Sequence, residues 1–152
     1  GPVYADRHKN PDGTIGGWVA KTATVASTCH IGHDAVVYDF ADVSENAVVL
    51  DQAKVYGHAS VRGNANIMHN VQVFGNAQVY GLAAILRNAV VRDCAQVFGR
   101  AVVGGDSEIC DNAMVFGRSS ITDKAKICGD ASVCKNASVK GKQIVGGFNH
   151  LE

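Results

Sequence analysis

His33, Asp51, His69 and Arg87 recur every 18 residues along the chain. A histidine near a carboxylate or a guanidinium has a proton affinity that its neighbours tune around neutrality, and such a histidine serves as a general base. His33 and His69 are therefore the candidate catalytic residues, with Asp51 and Arg87 beside them. The plainer reading of the same four residues is a solvated corner with mild charge pairing. Further histidines, His30, His58 and His150, raise the question of a zinc hydratase, which needs three of them to meet and one position left for water. No third histidine follows closely after His69, so no metal and no cofactor is expected.

The 18-residue spacing is three times a shorter one. From Val19 to Val145 every sixth residue is Val or Ile, and the residue two before it is small in most repeats, as in Ala77, Ala83, Ala89, Ala95 and Ala101. Cys29, Val71 and Gln143 are exceptions. A fixed short period is the signature of a solenoid. Residues two apart in a strand share a face, so the small residue and the aliphatic one both point inward. The pair left over, commonly Gly-Asn or Asp-Asn, turns a corner, because these residue types tolerate left-handed backbone. Three strand-corner units close a triangle of 18 residues, and about seven such coils stacked at the usual strand spacing give a prism roughly 34 Å long. The fold class expected is all-β: a single-domain parallel β-helix with a short N-terminal cap. Residues 1–16 form the cap, 17–147 the repeat and 148–152 a tail. Asn10-Pro11-Asp12-Gly13 marks a turn, with Val3-Tyr4 and Thr14-Ile15 as the arms of a hairpin. Gly1-Pro2 and Leu151-Glu152 have the look of cloning remnants. Phe148 is expected to fold over the end of the core, or the C-terminal edge to meet another molecule.

The same spacing sorts the outward residues into columns. Tyr38, Tyr56 and Phe74 lead to Arg92, Cys110 and Cys128 on the first face. Arg62, Tyr80, Phe98 and Phe116 lead to Cys134 on the second. Leu50, Met68 and Leu86 lie beside Val48, Ala84 and Val102 on the third. Monomers rarely expose contiguous apolar patches of this extent. Either the columns only strengthen the sheets by stacking like on like, or they are buried between subunits. An aromatic column edged by Arg62 or Arg92 also offers a planar ligand stacking and charge.

The segment Ile31-Gly32-His33-Asp34-Ala35-Val36-Val37 resembles the repeat of the hexapeptide-repeat, left-handed parallel β-helix superfamily, and the likeness runs from residue 17 to about 147. The lead-in Gly13-Thr14-Ile15-Gly16-Gly17-Trp18-Val19 is similar to that of uncharacterised bacterial and phage members labelled as transferases. The resemblance implies a left-handed coil, against the usual right-handed preference of crossovers. It also implies a homotrimer with parallel axes and, in its best-known activity, acyl transfer from acyl-coenzyme A with a histidine base between subunits. His30, His33, His58 and His69 enter as candidates on that ground.

Two features weigh against catalysis. No insertion interrupts the repeats, so no loop shapes an acceptor site. The cations available for coenzyme A phosphates, Lys124, Arg118, Lys140 and Lys142, are scattered. The leading expectation is a non-catalytic homo-oligomeric scaffold or small-ligand-binding module that uses surfaces between subunits; the alternative is an acyltransferase. Only Ser120-Ile121-Thr122 approaches the regular threonine ranks of an ice-binding face, so that reading falls. Lys and Arg together number 14, as do Asp and Glu, which disfavours nucleic acid and membrane surfaces as partners. Five cysteines in no scaffold spacing point to a reducing, cytoplasmic setting.

Overall fold

A computed structural model describes residues 4–152; Gly1, Pro2 and Val3, and with them one arm expected of the hairpin, lie outside the described residues. Among the described residues all regular structure is β. Two longer strands, β1 (Ala5–Lys9) and β2 (Ile15–Ala20), pair antiparallel around the Asn10–Gly13 turn. Every later strand is two residues long, ending on the Val or Ile of its repeat except the last, His150–Leu151. The strands stack in three sheets of nine, seven and eight, and apart from the β1–β2 pair all neighbours are parallel. Register is 18 residues throughout: Val55 faces Val73, which faces Val91. The result is a triangular β-solenoid of about seven coils.

The core is a stack of like on like. Ile67, Val73, Val79 and Ile85 on successive strands are fully buried, as are Ala65, Val71, Ala77 and Ala83 at the small positions before them. Each buried Val or Ile contributes roughly 1.5–3 kcal/mol. Ser107 and Ser119 take small positions as hydroxyls and stay satisfied by donating back to the carbonyls of Gly104 at 2.6 Å and Phe116 at 2.8 Å.

The corners follow one rule. From Asp39 to Gly147 every sixth residue has positive φ, between 54° and 68°. Ten of these are glycine; the rest include Asp39, Asp51, Asp93, Asp111 and Asp123, but also His69 and Arg87. Left-handed backbone costs a residue with a side chain about 1–2 kcal/mol, and aspartate recovers part of it. The backbone N–H of the corner one coil later has no carbonyl in the ladder, and the aspartate carboxylate accepts it. Gly57 donates to Asp39 at 3.1 Å, Asp111 to Asp93 at 3.1 Å, Gly129 to Asp111 at 2.8 Å and Gly141 to Asp123 at 2.9 Å.

The first coil is closed by side chains. Asn10 is buried; its amide nitrogen donates to the carbonyl of Ile31 at 3.1 Å, and its amide oxygen accepts the N–H of Ile31 at 2.8 Å. One side chain thus stands in for the neighbouring strand that the edge at His30–Ile31 lacks. Nε2 of His8 meets the Cys29 carbonyl at 2.8 Å, and Arg7 donates to the His33 carbonyl at 2.8 Å. At the other end the ladder continues beyond Gly147, with His150–Leu151 pairing in parallel with Ser132–Val133. Phe148 is 87% exposed and does not fold over the core. The corner turn that carries it points its ring outward, where nothing apolar reaches it.

Candidate functional site

The corner between the third and first faces carries the candidate catalytic residues. The structure stacks Asp51, His69 and Arg87 but does not make them a proton relay. Asp51 accepts the backbone N–H of His69 at 3.0 Å, and Nδ1 of His69 accepts the backbone N–H of Arg87 at 3.0 Å. His69 therefore does what the corner aspartates do. Its Nδ1 lone pair is spent on a corner amide, so its remaining proton sits on Nε2. His33 lies two coils away, about 10 Å by strand spacing. It pairs at 3.3 Å with Asp34, both side chains well exposed. The two histidines share no cavity, and the Asp51 carboxylate does not bridge their rings.

The remaining histidines and cations are equally separate. The His58 ring stacks on Phe40 with centroids 5.1 Å apart. Lys124 and Lys142 line a hollow of about 400 Å³, but Asp106 and Asp123 line it too and oppose a phosphate. Arg118 and Lys140 belong to other columns.

The aromatic columns form as two stacks. On the first face Tyr38, Tyr56 and Phe74 follow one another at 4.7 and 4.8 Å, with planes within 5°. On the second, Tyr80, Phe98 and Phe116 follow at 4.8 and 4.9 Å, within 1°. The polar ends of Tyr56 and Tyr80 are closed by the coil that follows. The Tyr56 hydroxyl donates to Gln72 at 2.7 Å and the Tyr80 hydroxyl to Gln96 at 2.9 Å. The guanidinium of Arg62 lies 4.2 Å above the Tyr80 ring and donates to Gln78 at 3.2 Å. Arg92 is bound to Glu108 and donates to Asp93 at 2.9 Å, which holds its proton more firmly than in an ordinary arginine. Both cations that edge the columns are thus already engaged. Burial pushes the Tyr38 and Tyr56 hydroxyls above the ordinary phenol range, with the Asp39 charge adding to it.

Two residues of these columns do not face solvent. Cys110 and Cys134 are buried although they occupy outward positions. A thiol is short, and the longer, charged side chains of Arg92, Glu108 and Lys126 lie near Cys110. All five cysteines are free thiols. Asp93, Cys110 and Asp111 converge closely enough to suggest a metal. The donor set does not fit one. Burial and then the Asp111 charge push the Cys110 thiol up to about 11, Arg92 occupies Asp93, and both carboxylates already accept corner amides. Cys134, His150 and Glu152 also converge, but Cys134 at 3.6 Å and Glu152 at 3.0 Å share one imidazole nitrogen, and Lys135 pairs with the same glutamate.

The third face is of another kind. Leu50, Met68 and Leu86, beside Val48, Ala84 and Val102, make a mainly apolar strip over four coils, which Asn66 interrupts between Val48 and Ala84. Apart from Asn66, none of these side chains has a polar group to satisfy. Val102 is 39% exposed, and Leu82 at the adjoining corner is 50% exposed. Between His30 and Lys140 the face carries no Asp, Glu, Lys or Arg.

Sequence reasoning missed the roles of Arg7, His8 and Asn10. Asn10 sits in a turn motif, and its second task depends on which strand lies beneath it. No helix among the described residues is long and apolar enough to cross a membrane. No protein-family model matches the chain, and no curated protein matches its sequence.

Proposed function

We propose that the protein is a non-catalytic β-solenoid scaffold that assembles with copies of itself, as a trimer of parallel prisms with the third faces turned toward a common axis. The observation that carries this reading is the charge-free strip from Val48 to Val102, apolar except for Asn66. Burying it against a copy removes apolar surface from water at roughly 25 cal/mol per Å². A formal net charge of zero leaves no net repulsion between the copies. The first face carries Lys54, Arg92, Glu108 and Lys126; the second carries Asp42 and Arg62, and its charge-free stretch beyond Arg62 sets Gln78 and Gln96 beside the rings. The repeat Ile31–Val37 and the Gly13–Val19 lead-in place the chain, on this reading, in the hexapeptide-repeat superfamily with a left-handed coil, and trimers of parallel prisms suit that assignment.

Light scattering at low micromolar concentration tests the proposal. The expected mass is three times the chain mass of 15.9 kDa; the mass of a single chain overturns it. A calorimetric titration with acetyl-coenzyme A tests the non-catalytic half. No heat is expected, because His33 and His69 do not converge and the cations lie apart; saturable binding would favour an acyltransferase.

A further inference from the structure

The aromatic column of the first face has an open end. One coil before Tyr38 the column holds Ala20, since Val19 pairs with Val37 in register. The second face meets the same situation with a cation. Arg62 lies one coil before Tyr80 and covers its free ring face at 4.2 Å. The methyl group of Ala20 cannot do this. Tyr38 instead borders a cavity of about 590 Å³ whose lining includes Tyr4, Ala20, Lys21, Thr22, Val36 and Asp39. An adjoining hollow of about 340 Å³ shares Ala20, Val36 and Tyr38 and adds Ala5 and Trp18. These volumes lie in the range of roughly 300–1,000 Å³ usual for small-molecule sites.

We propose that this cavity binds a planar aromatic molecule carrying an anionic group, whose ring takes the next place in the Tyr38–Tyr56–Phe74 stack, over Ala20. The column already sets the geometry: its rings repeat every 4.7–4.8 Å and are parallel within 5°, and aromatic rings gain most at such offset stacking distances. A ring inserted over Ala20 meets Tyr38 as Tyr38 meets Tyr56. Beside it the Trp18 ring is covered by the Arg7 guanidinium, 4.6 Å from its centroid.

Charge selects the substituent. Lys21 lines the cavity and forms no ion pair among the described residues. Asp39, the other charge there, accepts the Gly57 N–H at 3.1 Å but keeps its charge, so the anionic group is directed to the Lys21 side of the ring. The hydroxyl of Tyr38 is also available. Tyr56 and Tyr80 each donate to a glutamine 16 residues on, whereas the residue 16 beyond Tyr38 is Lys54, which offers no acceptor. A carboxylate or a similar anion on the ring answers both groups. The site lies on the first face, so it does not depend on assembly through the third.

The test uses the full chain and 2-naphthoate as probe, with decahydro-2-naphthoate as its non-planar counterpart and 2-naphthol as its uncharged one. Calorimetry reads affinity. The indole N–H resonance of Trp18, the single tryptophan of the chain, reads location. 2-Naphthoate is expected to bind and to shift that resonance, and the saturated acid to bind about tenfold more weakly, as the loss of one good stacking contact implies. Ala20→Phe, which extends the column with the protein's own ring, is expected to weaken 2-naphthoate at least about tenfold while circular dichroism is unchanged. Tyr38→Leu gives the same loss by removing the stacking partner and serves if the first variant does not fold. Lys21→Gln is expected to weaken 2-naphthoate severalfold and leave 2-naphthol unaffected. The proposal is overturned if 2-naphthoate does not bind at millimolar concentration, if the saturated acid binds equally well, or if the folded variants at positions 20 and 38 bind like the parent.

Discussion

The second and third faces share one coil, one register and one inward pattern, yet their outer surfaces do opposite things. On the second face the outward positions are filled by Tyr80, Phe98 and Phe116, whose rings cover one another and whose polar end is taken up by Gln96. Each ring there covers its neighbours' faces and is left half-buried. On the third face Leu50, Met68 and Leu86 have the same 18-residue spacing but are aliphatic and carry nothing that the next coil can tie down. Planar rings cover one another's faces and tie a polar end to the next coil; the branched and flexible side chains of the third face, half-buried like the rings, have no polar end to tie. In the proposed trimer a column's side-chain type would decide which faces stabilise a prism and which join it to another.

If that contrast is right, the largest stability effect of an outward substitution falls on the second face. Phe98→Ala removes two stacked partners at once and is expected to cost about 2–3 kcal/mol, from lost burial and ring contacts. Urea unfolding at a fixed protein concentration measures it; a cost below about 0.5 kcal/mol would mean that the rings merely sit on the surface.

Next in size is the corner. His69 holds a left-handed position and accepts the Arg87 N–H. His69→Ala keeps the backbone strain and loses the acceptor, for a loss of about 1–2 kcal/mol. His69→Asn supplies both left-handed tolerance and an acceptor and should be within about 0.5 kcal/mol of the parent. Thermal melts of the two variants test the corner role, because without it asparagine would rescue nothing that alanine loses.

Smaller again is Tyr56→Phe. It keeps the stack and deletes the hydrogen bond to Gln72, at about 0.5–1.5 kcal/mol. A cost as large as that of Phe98→Ala would show that hydrogen bonding, not ring burial, holds the columns.

The cysteines sharpen the contrast with no change in stability. At pH 8 a thiol with its pKa near 11 is thiolate in about one molecule in a thousand. Cys94 is exposed and Cys110 buried, so iodoacetamide followed by mass spectrometry should label Cys94 and spare Cys110. Equal labelling would mean that the coil around Cys110 opens.

The inward half of this architecture was legible from residues alone. An aliphatic residue at every sixth place and a small one two before it admit one three-sided coil, and from that the columns at Tyr38, Tyr80 and Leu86 follow. What the spacing concealed depends on contacts between coils. His69 and Asp51 read as an acid–base pair because their residue types suit one; that their acceptors are consumed by corner amides follows only from the positive φ of those corners. Cys110 and Cys134 read as outward because alternation says so, but exposure of a short side chain is decided by the longer ones 16 and 18 residues away. Asn10 read as a turn residue because its role under Ile31 needs the edge strand in place. Phe148 read as a lid because it is large and apolar and lies after the last clear repeat, and the corner turned it outward.

The central claim is that the third face, not the second, joins copies of this chain. Sedimentation equilibrium of Leu86→Asp beside Phe98→Asp tests it directly. A carboxylate forced into a subunit interface without a partner costs several kcal/mol, so Leu86→Asp is predicted to sediment as a single chain of about 15.9 kDa. Phe98→Asp is predicted to be less stable but still three chains together at temperatures where it is folded. Three chains for Leu86→Asp and one for folded Phe98→Asp would contradict the account and move the interface to the aromatic face.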